Sequence, residues 1–195
     1  MERCDFRLIL ASASPRRREL LERFGLPFEV VPARGEESAP EGLPPGELVR
    51  LLAEQKAAEV ARTVPDAAAV IVSADTVVEI DGEVLGKPGT PERAAAMLRR
   101  LSGRTHRVWT GVCVRRGDER RTDAACTEVR FRSLAEEEIA AYVRTGEPLD
   151  KAGAYGYQSL ACLFVEEIRG DYFNVVGLPL CLLGQMLRAF GVSLL

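Results

Sequence analysis

The chemistry of the N-terminal part of the chain is concentrated in one stretch, LILASASPRRREL at residues 8–20. An apolar run ends in two serines, a proline and three consecutive arginines, an order that predicts a buried strand, a tight turn and a helix beginning in solvent. Free N–H groups at a helix N-terminus attract anions, and hydroxyl and guanidinium groups beside them strengthen that preference. The stretch is therefore a candidate phosphate-binding element, and a solvated turn followed by a basic helix start is the alternative.

Carboxylates that could hold a metal or move a proton occur at two places. Asp75 follows the continuous small and β-branched segment 67–74, so we expect it at the carboxyl end of a buried strand, where open α/β sheets bind ligands. There it could bind a divalent cation or act as a general base, or it could only cap a turn. Glu36 and Glu37 could supply a second metal-coordinating carboxylate, or form a solvated acidic loop.

Lysine and amide side chains add possible contacts to phosphate and to a polar ligand. The segment GEVLGKP at 82–88 superficially resembles a P-loop, but it is one residue short between its glycines and has Pro88 where Ser or Thr binds magnesium. Lys87 is a candidate phosphate ligand, and the alternative is that it belongs to a plain turn. Lys56 could be a ligand or a surface lysine. The amide of Gln158 could bind a polar ligand or satisfy backbone groups. Cations for phosphate together with carboxylates for a metal suit nucleoside triphosphate chemistry.

Hydrophobic periodicity predicts the elements that would position these residues. The predicted strands are 6–11, 28–31, 67–74, 77–80, 83–85, 105–116, 120–132 and 160–168, and the predicted helices are 15–24, 46–63, 90–101, 134–144 and 180–190. Helix 46–63 is expected to bury Leu48, Leu51, Leu52, Ala58 and Val60. Turns are predicted at Asp81-Gly82 and Gly117-Asp118, a helix N-cap at Thr90, and loops at 32–45 and 146–159. The sequence shows no repeat or linker, so we expect one α/β domain with a mixed central β-sheet flanked by helices.

Composition limits the kind of partner. The 195 residues are 47% hydrophobic and 28% charged with a net charge of −3, which argues against a nucleic-acid or membrane-surface binder, because those carry a basic excess. Charges near the N-terminus predict no signal peptide, so a cytoplasmic location is expected. The five cysteines show no CxxC spacing and are predicted to be buried, reduced thiols. His106 is the single histidine, which excludes a histidine-rich metal site and argues against a Ser-His-Asp triad, and it is expected to be structural.

With these residues assembled, the chain resembles the Maf family of nucleoside triphosphate pyrophosphatases over nearly its whole length. Six segments carry the resemblance in order: LASASPRR at 10–17, ADTVV at 74–78, GKP at 86–88, SGRTH at 102–106, EPLDKAGAYGYQ at 147–158 and NVVGLP at 174–179. The resemblance implies a fold related to inosine triphosphate pyrophosphatase, with two lobes around a cleft. It also implies one domain over 1–195, often dimeric, that converts a nucleoside triphosphate to the monophosphate and pyrophosphate with a divalent cation, Mg²⁺ or Mn²⁺.

The resemblance also assigns roles to particular residues. Asp75 matches the catalytic acid/base position, and Glu37 with Asp75 matches the metal site. Positions lining the phosphates are Ser12, Arg17, Lys56 and Lys87. Arg16, Thr76 and Gln158 match the signature of the dTTP/UTP subgroup, and a glutamine amide can accept N3–H and donate to O4 of uracil or thymine. The chain departs from the family in having Ser159 and Ala161 where glycines are usual.

Two further functions are weighed against this enzymatic one. Proteins of this family are associated with septation arrest, so the alternative is a nucleotide-binding regulator of cell division without significant catalysis. A carboxylate at Asp75 favours the enzyme, because a pure binder needs no acid or base there. An RNA-binding module is disfavoured by the acidic balance and by the lack of a basic-aromatic surface pattern.

Overall fold

A computed structural model describes residues 6–35 and 38–195, so the predictions for Cys4, Glu36 and Glu37 lie outside the described residues. The strands within these ranges are β1 Leu8–Leu10, β2 Glu29–Val30, β3 Val70–Ile80, β4 Glu83–Leu85, β5 Thr105–Arg116, β6 Glu119–Phe131 and β7 Val165–Arg169. The α-helices are α1 Pro15–Glu22, α2 Pro45–Thr63, α3 Pro91–Leu101, α4 Glu136–Arg144, α5 Tyr172–Val176 and α6 Leu180–Arg188. Short 3₁₀ turns occupy Glu147–Asp150, Ala152–Ala154 and Leu160–Phe164.

The strands form a mixed sheet in the order β2-β1-β3-β5-β6-β7, with β4 paired to β3. Strand β1 runs parallel to both β2 and β3, whereas the β3–β4 and β6–β7 pairs are antiparallel. The predicted α/β class with a mixed central sheet flanked by helices is therefore confirmed. Within the described ranges, no helix is both long enough and apolar enough to cross a membrane.

Strand β3 is longer than predicted and corrects the expected position of Asp75. The sequence predicted two strands, 67–74 and 77–80, with Asp75 at the end of the first, but β3 runs without a break from Val70 to Ile80. Asp75 therefore lies in the middle of the strand. The polar pair Asp75-Thr76 does not interrupt β3, because Val77, Val78 and Ile80 continue the buried β-branched pattern after it.

The chain divides into two compact units, which are described separately. Unit 1 comprises the chain up to Asp75, Thr110–Ala125 and Gly177–Leu195, and unit 2 comprises Thr76–Trp109 and Cys126–Val176. The boundary falls inside strands β3, β5 and β6, so each of these strands contributes one part to each unit.

The core of unit 1 packs α2 against the sheet. Helix α2 buries Val49, Leu52, Ala53, Ala57 and Val60, so the prediction was right for Leu52 and Val60 and wrong for Leu48, Leu51 and Ala58, which are only partly buried. Small side chains face the sheet because the helix comes very close to it: a Cβ on Gly111 of β5 would collide with the main chain at Val49 and Arg50. The prediction gave too much weight to the large leucines.

The core of unit 2 is rich in aromatic residues. Phe131, Tyr155 and Phe164 pack together with Leu98 and Ile139 from helices α3 and α4. The Phe131 ring meets the Tyr155 ring edge-on with centroids 4.8 Å apart, an arrangement that adds to the stabilisation from burial.

Two predicted local features of unit 2 are confirmed. Thr90 caps α3 by accepting the N–H of Arg93 at 3.3 Å. Asp81-Gly82 forms the tight hairpin between β3 and β4, with φ of 57° and 78° at the two residues. Such positive angles at both central residues are typical of a type I′ turn, which Asp-Gly favours.

The predicted strand at 160–168 is largely wrong. Residues Leu160–Phe164 form a 3₁₀ turn, and only Val165–Arg169 is a strand. Leu160 and Leu163 are exposed, so only part of this apolar run, Ala161 and Phe164, contributes to the core. The short helix α5 was also missed, because five residues are too few to show a helical period.

The prediction of buried thiols is correct for Cys113 and wrong for Cys126, Cys162 and Cys181, which are exposed. In the C-terminal half of β6 the even-numbered residues point away from the core, so Cys126 shares a face with Glu128 and Arg130, whereas Thr127, Val129 and Phe131 are buried.

Candidate active site

The centre of the candidate site in unit 1 is an ion pair between Lys56 and Asp75. Lys56 Nζ donates to Asp75 Oδ1. The Lys56 side chain is 16% exposed and that of Asp75 is 11% exposed, so both groups are largely withdrawn from water. A carboxylate held in this way has a fixed orientation, and a sheltered charged pair is a recurring feature of catalytic sites.

A second contact fixes the helix and the strand that carry this pair. The Ser73 hydroxyl donates to the carbonyl oxygen of Ala53 at 2.6 Å, and Ser73 is fully buried. Ser73 lies two residues before Asp75 on the same side of β3, and Ala53 lies about one turn before Lys56 on α2. Sequence reasoning missed Ser73, although a lone serine in an otherwise apolar strand segment, VIVSA, is a visible signal.

Arg17 links α1 to two other segments of unit 1. Its Nη1 donates to the carbonyl oxygen of Ala74 at 2.7 Å, and its Nε donates to that of Gly177 at 2.8 Å. Nη1 is also 3.4 Å from the hydroxyl oxygen of Ser12. The structure thus brings Ser12 and Arg17 together with the residue that precedes Asp75, and the role of both in binding phosphate remains a prediction.

The turn before α1 has the predicted form. The Ser12 hydroxyl accepts the N–H of Ser14 at 3.2 Å, which closes the turn, and the helix begins at Pro15. Arg16 is partly buried, and its role in selecting the substrate stays a prediction. Arg18 is exposed and pairs with Glu22 one turn later at 2.8 Å, as expected for a solvated residue.

In unit 2, two of the predicted site residues, Lys87 and Gln158, lie on exposed turns. Lys87 is exposed in a turn held at both ends: Gly86 O accepts the N–H of Gly153 at 3.2 Å, and Gly89 N–H donates to Leu149 O at 3.2 Å. This pairing joins the Lys87 turn to the segment that leads to Gln158. Two predicted site residues of unit 2 are therefore on connected segments.

Thr76 and Gln158 differ in their exposure. Thr76 follows Asp75 along β3 and points to the opposite face of the strand, where it is partly buried. Gln158 is exposed, in a loop between Tyr155, which is buried, and the 3₁₀ turn that begins at Leu160.

Of the two carboxylates predicted to bind a divalent cation, one lies within the described residues. Among the described residues there is no group of three or more His, Cys, Asp or Glu side chains that could hold a metal by themselves. Glu37 lies outside the described residues, which leaves Asp75 as the predicted ligand that can be placed. Mg²⁺ is usually bound through one or two carboxylates together with substrate phosphates, so a single sheltered carboxylate fits a cation that arrives with a nucleotide.

His106 takes a structural position in unit 2. Its Nε2 is 2.8 Å from the hydroxyl oxygen of Tyr155, and its ring meets Phe131 edge-on with centroids 5.0 Å apart. His106 is 2% exposed, and this burial lowers its pKa from 6.5 to about 3. The ring is therefore neutral at physiological pH, which agrees with the structural role that was expected.

A mixed α/β fold with a sheltered carboxylate–lysine pair, close to a serine in the turn before α1 and an arginine in the first turn of that helix, defines an enzyme-like protein suited to an anionic substrate. A family model described as "Maf-like protein" matches residues 7–190. The chain belongs to the Maf family.

Curated relatives resemble the chain over almost its full length. A Moorella thermoacetica protein named dTTP/UTP pyrophosphatase is 55% identical over 190 residues, covering 96% of each chain. A protein of the same name from Bacillus velezensis is 50% identical over 187 residues, covering 96% of this chain and 98% of the relative. Another from Thermococcus gammatolerans is 52% identical over 188 residues, covering 96% and 98% respectively.

Proposed function

We propose that this protein is a single-domain nucleoside triphosphate pyrophosphatase that converts dTTP and UTP to the monophosphate and pyrophosphate. The observation that carries the proposal is the sheltered Asp75–Lys56 pair, found in a chain 50–55% identical to proteins named for this activity. The family match from residue 7 to residue 190 supports one domain over the whole chain. Nucleoside triphosphates are abundant in the cytoplasm, which supports the expected location.

The reaction assigns a defined task to Asp75. The oxygen of a water molecule attacks the α-phosphorus, the bond from this phosphorus to the oxygen bridging the α- and β-phosphates breaks, and pyrophosphate leaves. Asp75 accepts the proton that the water loses, and Lys56 keeps the carboxylate oriented through its bond to Oδ1. A divalent cation, Mg²⁺ or Mn²⁺, bound by Asp75 and Glu37 would neutralise charge on the triphosphate.

Binding of the triphosphate is assigned to basic and hydroxyl groups. Ser12, Arg17, Lys56 and Lys87 are the proposed phosphate ligands. The contacts of Arg17 to two main-chain carbonyls support a rigid guanidinium, and the exposure of Lys87 supports its availability to a nucleotide. Rigid donors aimed at a phosphate lose little conformational entropy when the substrate binds.

Selection of the base is assigned to Arg16, Thr76 and Gln158. The exposed amide of Gln158 can accept a hydrogen bond from N3–H and donate one to O4 of uracil or thymine. Cytosine presents the reverse pattern, because its N3 accepts a hydrogen bond and its N4 amino group donates one. Recognition of both dTTP and UTP requires no contact with the 5-methyl group or the 2′-hydroxyl.

The test is pyrophosphate release by the purified full-length protein from dTTP, UTP, CTP, GTP and ATP, with Mg²⁺, Mn²⁺ or EDTA. We expect dTTP and UTP to be hydrolysed fastest and EDTA to abolish turnover. Release of pyrophosphate from none of the five nucleotides, with UTP binding retained in calorimetry, would instead favour the nucleotide-binding regulator.

A further inference from the structure

The loop that presents Gln158 is anchored on both sides, although Gln158 itself is exposed. On the N-terminal side, the Tyr157 ring meets the Tyr172 ring edge-on with centroids 5.3 Å apart. On the C-terminal side, the Ser159 hydroxyl donates to Oε1 of Glu147, twelve residues earlier in the chain. Two anchored neighbours fix the main chain of Gln158, so less backbone entropy is lost when its side chain binds a ligand.

The acceptor of the Ser159 hydroxyl is itself held in place. Oε1 of Glu147 also accepts the hydroxyl of Tyr142 at 2.7 Å, and the carbonyl oxygen of Glu147 accepts Lys151 Nζ at 2.7 Å. Tyr142 is buried, with 4% of its surface exposed, and belongs to helix α4. The carboxylate of Glu147 therefore connects the Gln158 loop to the rigid core of unit 2.

The backbone between these anchors is closely packed. Gly156 O accepts the N–H of Ser159 at 3.3 Å, which closes a turn around Tyr157 and Gln158. A Cβ on Gly156 would lie 2.8 Å from Cε of Lys151, so the loop lies directly on the lysine that also holds Glu147. The loop thus has one supported path, and the hydrogen bond from Ser159 to Glu147 fixes its C-terminal end.

We infer that Ser159 is a positioning residue for base recognition, which holds Gln158 in place through its hydrogen bond to Glu147. This inference rests on the proposed function, because it concerns how the pyrimidine is selected. Ser159 touches neither the triphosphate nor the reacting atoms in this role. Loss of its hydroxyl therefore weakens binding of the nucleotide and leaves the chemical step almost unchanged.

The experiment compares Ser159→Ala and Ser159→Gly with Ser159→Thr, which keeps the hydroxyl. A charge-assisted hydrogen bond of this kind predicts a rise of about tenfold in KM for UTP and dTTP for the first two variants, with kcat within about twofold of wild type. Ser159→Thr is expected to restore KM to within about twofold of wild type. UTP binding by calorimetry and the midpoint of thermal unfolding are measured on the same proteins.

Two further measurements separate positioning from a loss of stability. Ser102→Ala is the matched control, since the Ser102 hydroxyl accepts the N–H of Leu134 at 2.8 Å in the same unit, and it is expected to lower the unfolding midpoint without raising KM. A double-mutant cycle combines Ser159→Ala with Glu147→Ala. If the two residues act through one contact, the double variant raises KM no more than the larger single effect.

The outcomes distinguish the inference from the function on which it rests. Unchanged KM in Ser159→Ala and Ser159→Gly, or additive effects in the cycle, would overturn the role of Ser159 while leaving the pyrophosphatase intact. A wild-type protein that neither hydrolyses nor binds UTP would overturn the proposed function and the inference together.

Discussion

Lys56 of helix α2 and Asp75 of strand β3 form an ion pair although they are 19 residues apart in the chain. The Lys56 side chain is 16% exposed and the Asp75 side chain is 11% exposed, so solvent reaches little of either group. The hydrogen bond from Ser73 to Ala53 joins the same helix and strand close by. The geometry of the proposed catalytic carboxylate therefore depends on the packing of α2 against β3.

Replacement of Asp75 by asparagine tests its role as the proton acceptor. Asp75→Asn keeps the shape of the side chain but removes its basic oxygen, so we expect kcat to fall by about 10²–10⁴-fold, the usual contribution of a general base. UTP binding measured by calorimetry is expected to survive. Turnover near the wild-type rate would refute the assignment.

Ser73→Ala tests whether the buried contact between strand and helix supports the site. Loss of this hydrogen bond is expected to cost about 1 kcal/mol in the free energy of unfolding, measured by urea denaturation, and to lower kcat as well. Thr63→Ala is the control on the same helix, because its hydroxyl donates to Val60 O within α2 at 2.9 Å. A Ser73→Ala variant with unchanged kcat would show that the contact serves stability alone.

Hydrophobic patterning predicted most elements of the fold but not how closely they approach each other. The periods of the long helices and strands are local properties, so α3, β5 and β6 were predicted to within about two residues. The burial of Asp75 in mid-strand depends on Lys56, which comes from another element. No local pattern carries that information, so the sequence placed the carboxylate at a strand end.

In the candidate site too, residue type and resemblance predicted some residues, whereas residues that act through contacts with distant parts of the chain were missed. Asp75 and Lys56 were predicted as site residues from their types and from a family resemblance, and the structure brings this pair together. Ser73 and Glu147 were missed, because each acts through a contact with a distant residue. Glu37 lies outside the described residues, so its role stays a prediction.

Gly111 is required by the close approach of α2 to β5. A Cβ at this position would overlap the main chain at Val49, which cannot move aside as a side chain can. We expect Gly111→Ala to lower the free energy of unfolding by about 1–3 kcal/mol or more, as overpacking does. Gly184→Ala is the matched control within α6, where the new Cβ would meet Leu194 at 3.6 Å, and it is expected to stabilise by up to about 1 kcal/mol. Equal stability of the two variants in urea denaturation would contradict the close approach.

Gln158→Glu tests recognition of the pyrimidine. The glutamate carboxylate only accepts hydrogen bonds, so it loses the donor to O4 of uracil or thymine, and we expect kcat/KM for dTTP and UTP to fall by about tenfold or more. Pyrophosphate release over a range of nucleotide concentrations gives this value. Unchanged kinetics on both nucleotides would exclude Gln158 from base selection.

His106 predicts a specific dependence of stability on pH. Burial lowers the pKa of His106 to about 3, whereas the unfolded chain has a pKa near 6.5, so between these values the unfolded state binds a proton that the folded state does not. Stability therefore falls as the pH falls below about 6.5. Because this is the single histidine in the sequence, the loss between pH 7.5 and 5.5 is expected to be about 1.4 kcal/mol and to arise mainly from this residue. The variant His106→Phe keeps a ring against Phe131. In urea denaturation its free energy of unfolding is expected to differ little between the two pH values. A difference as large as that of the wild type would show that another group titrates.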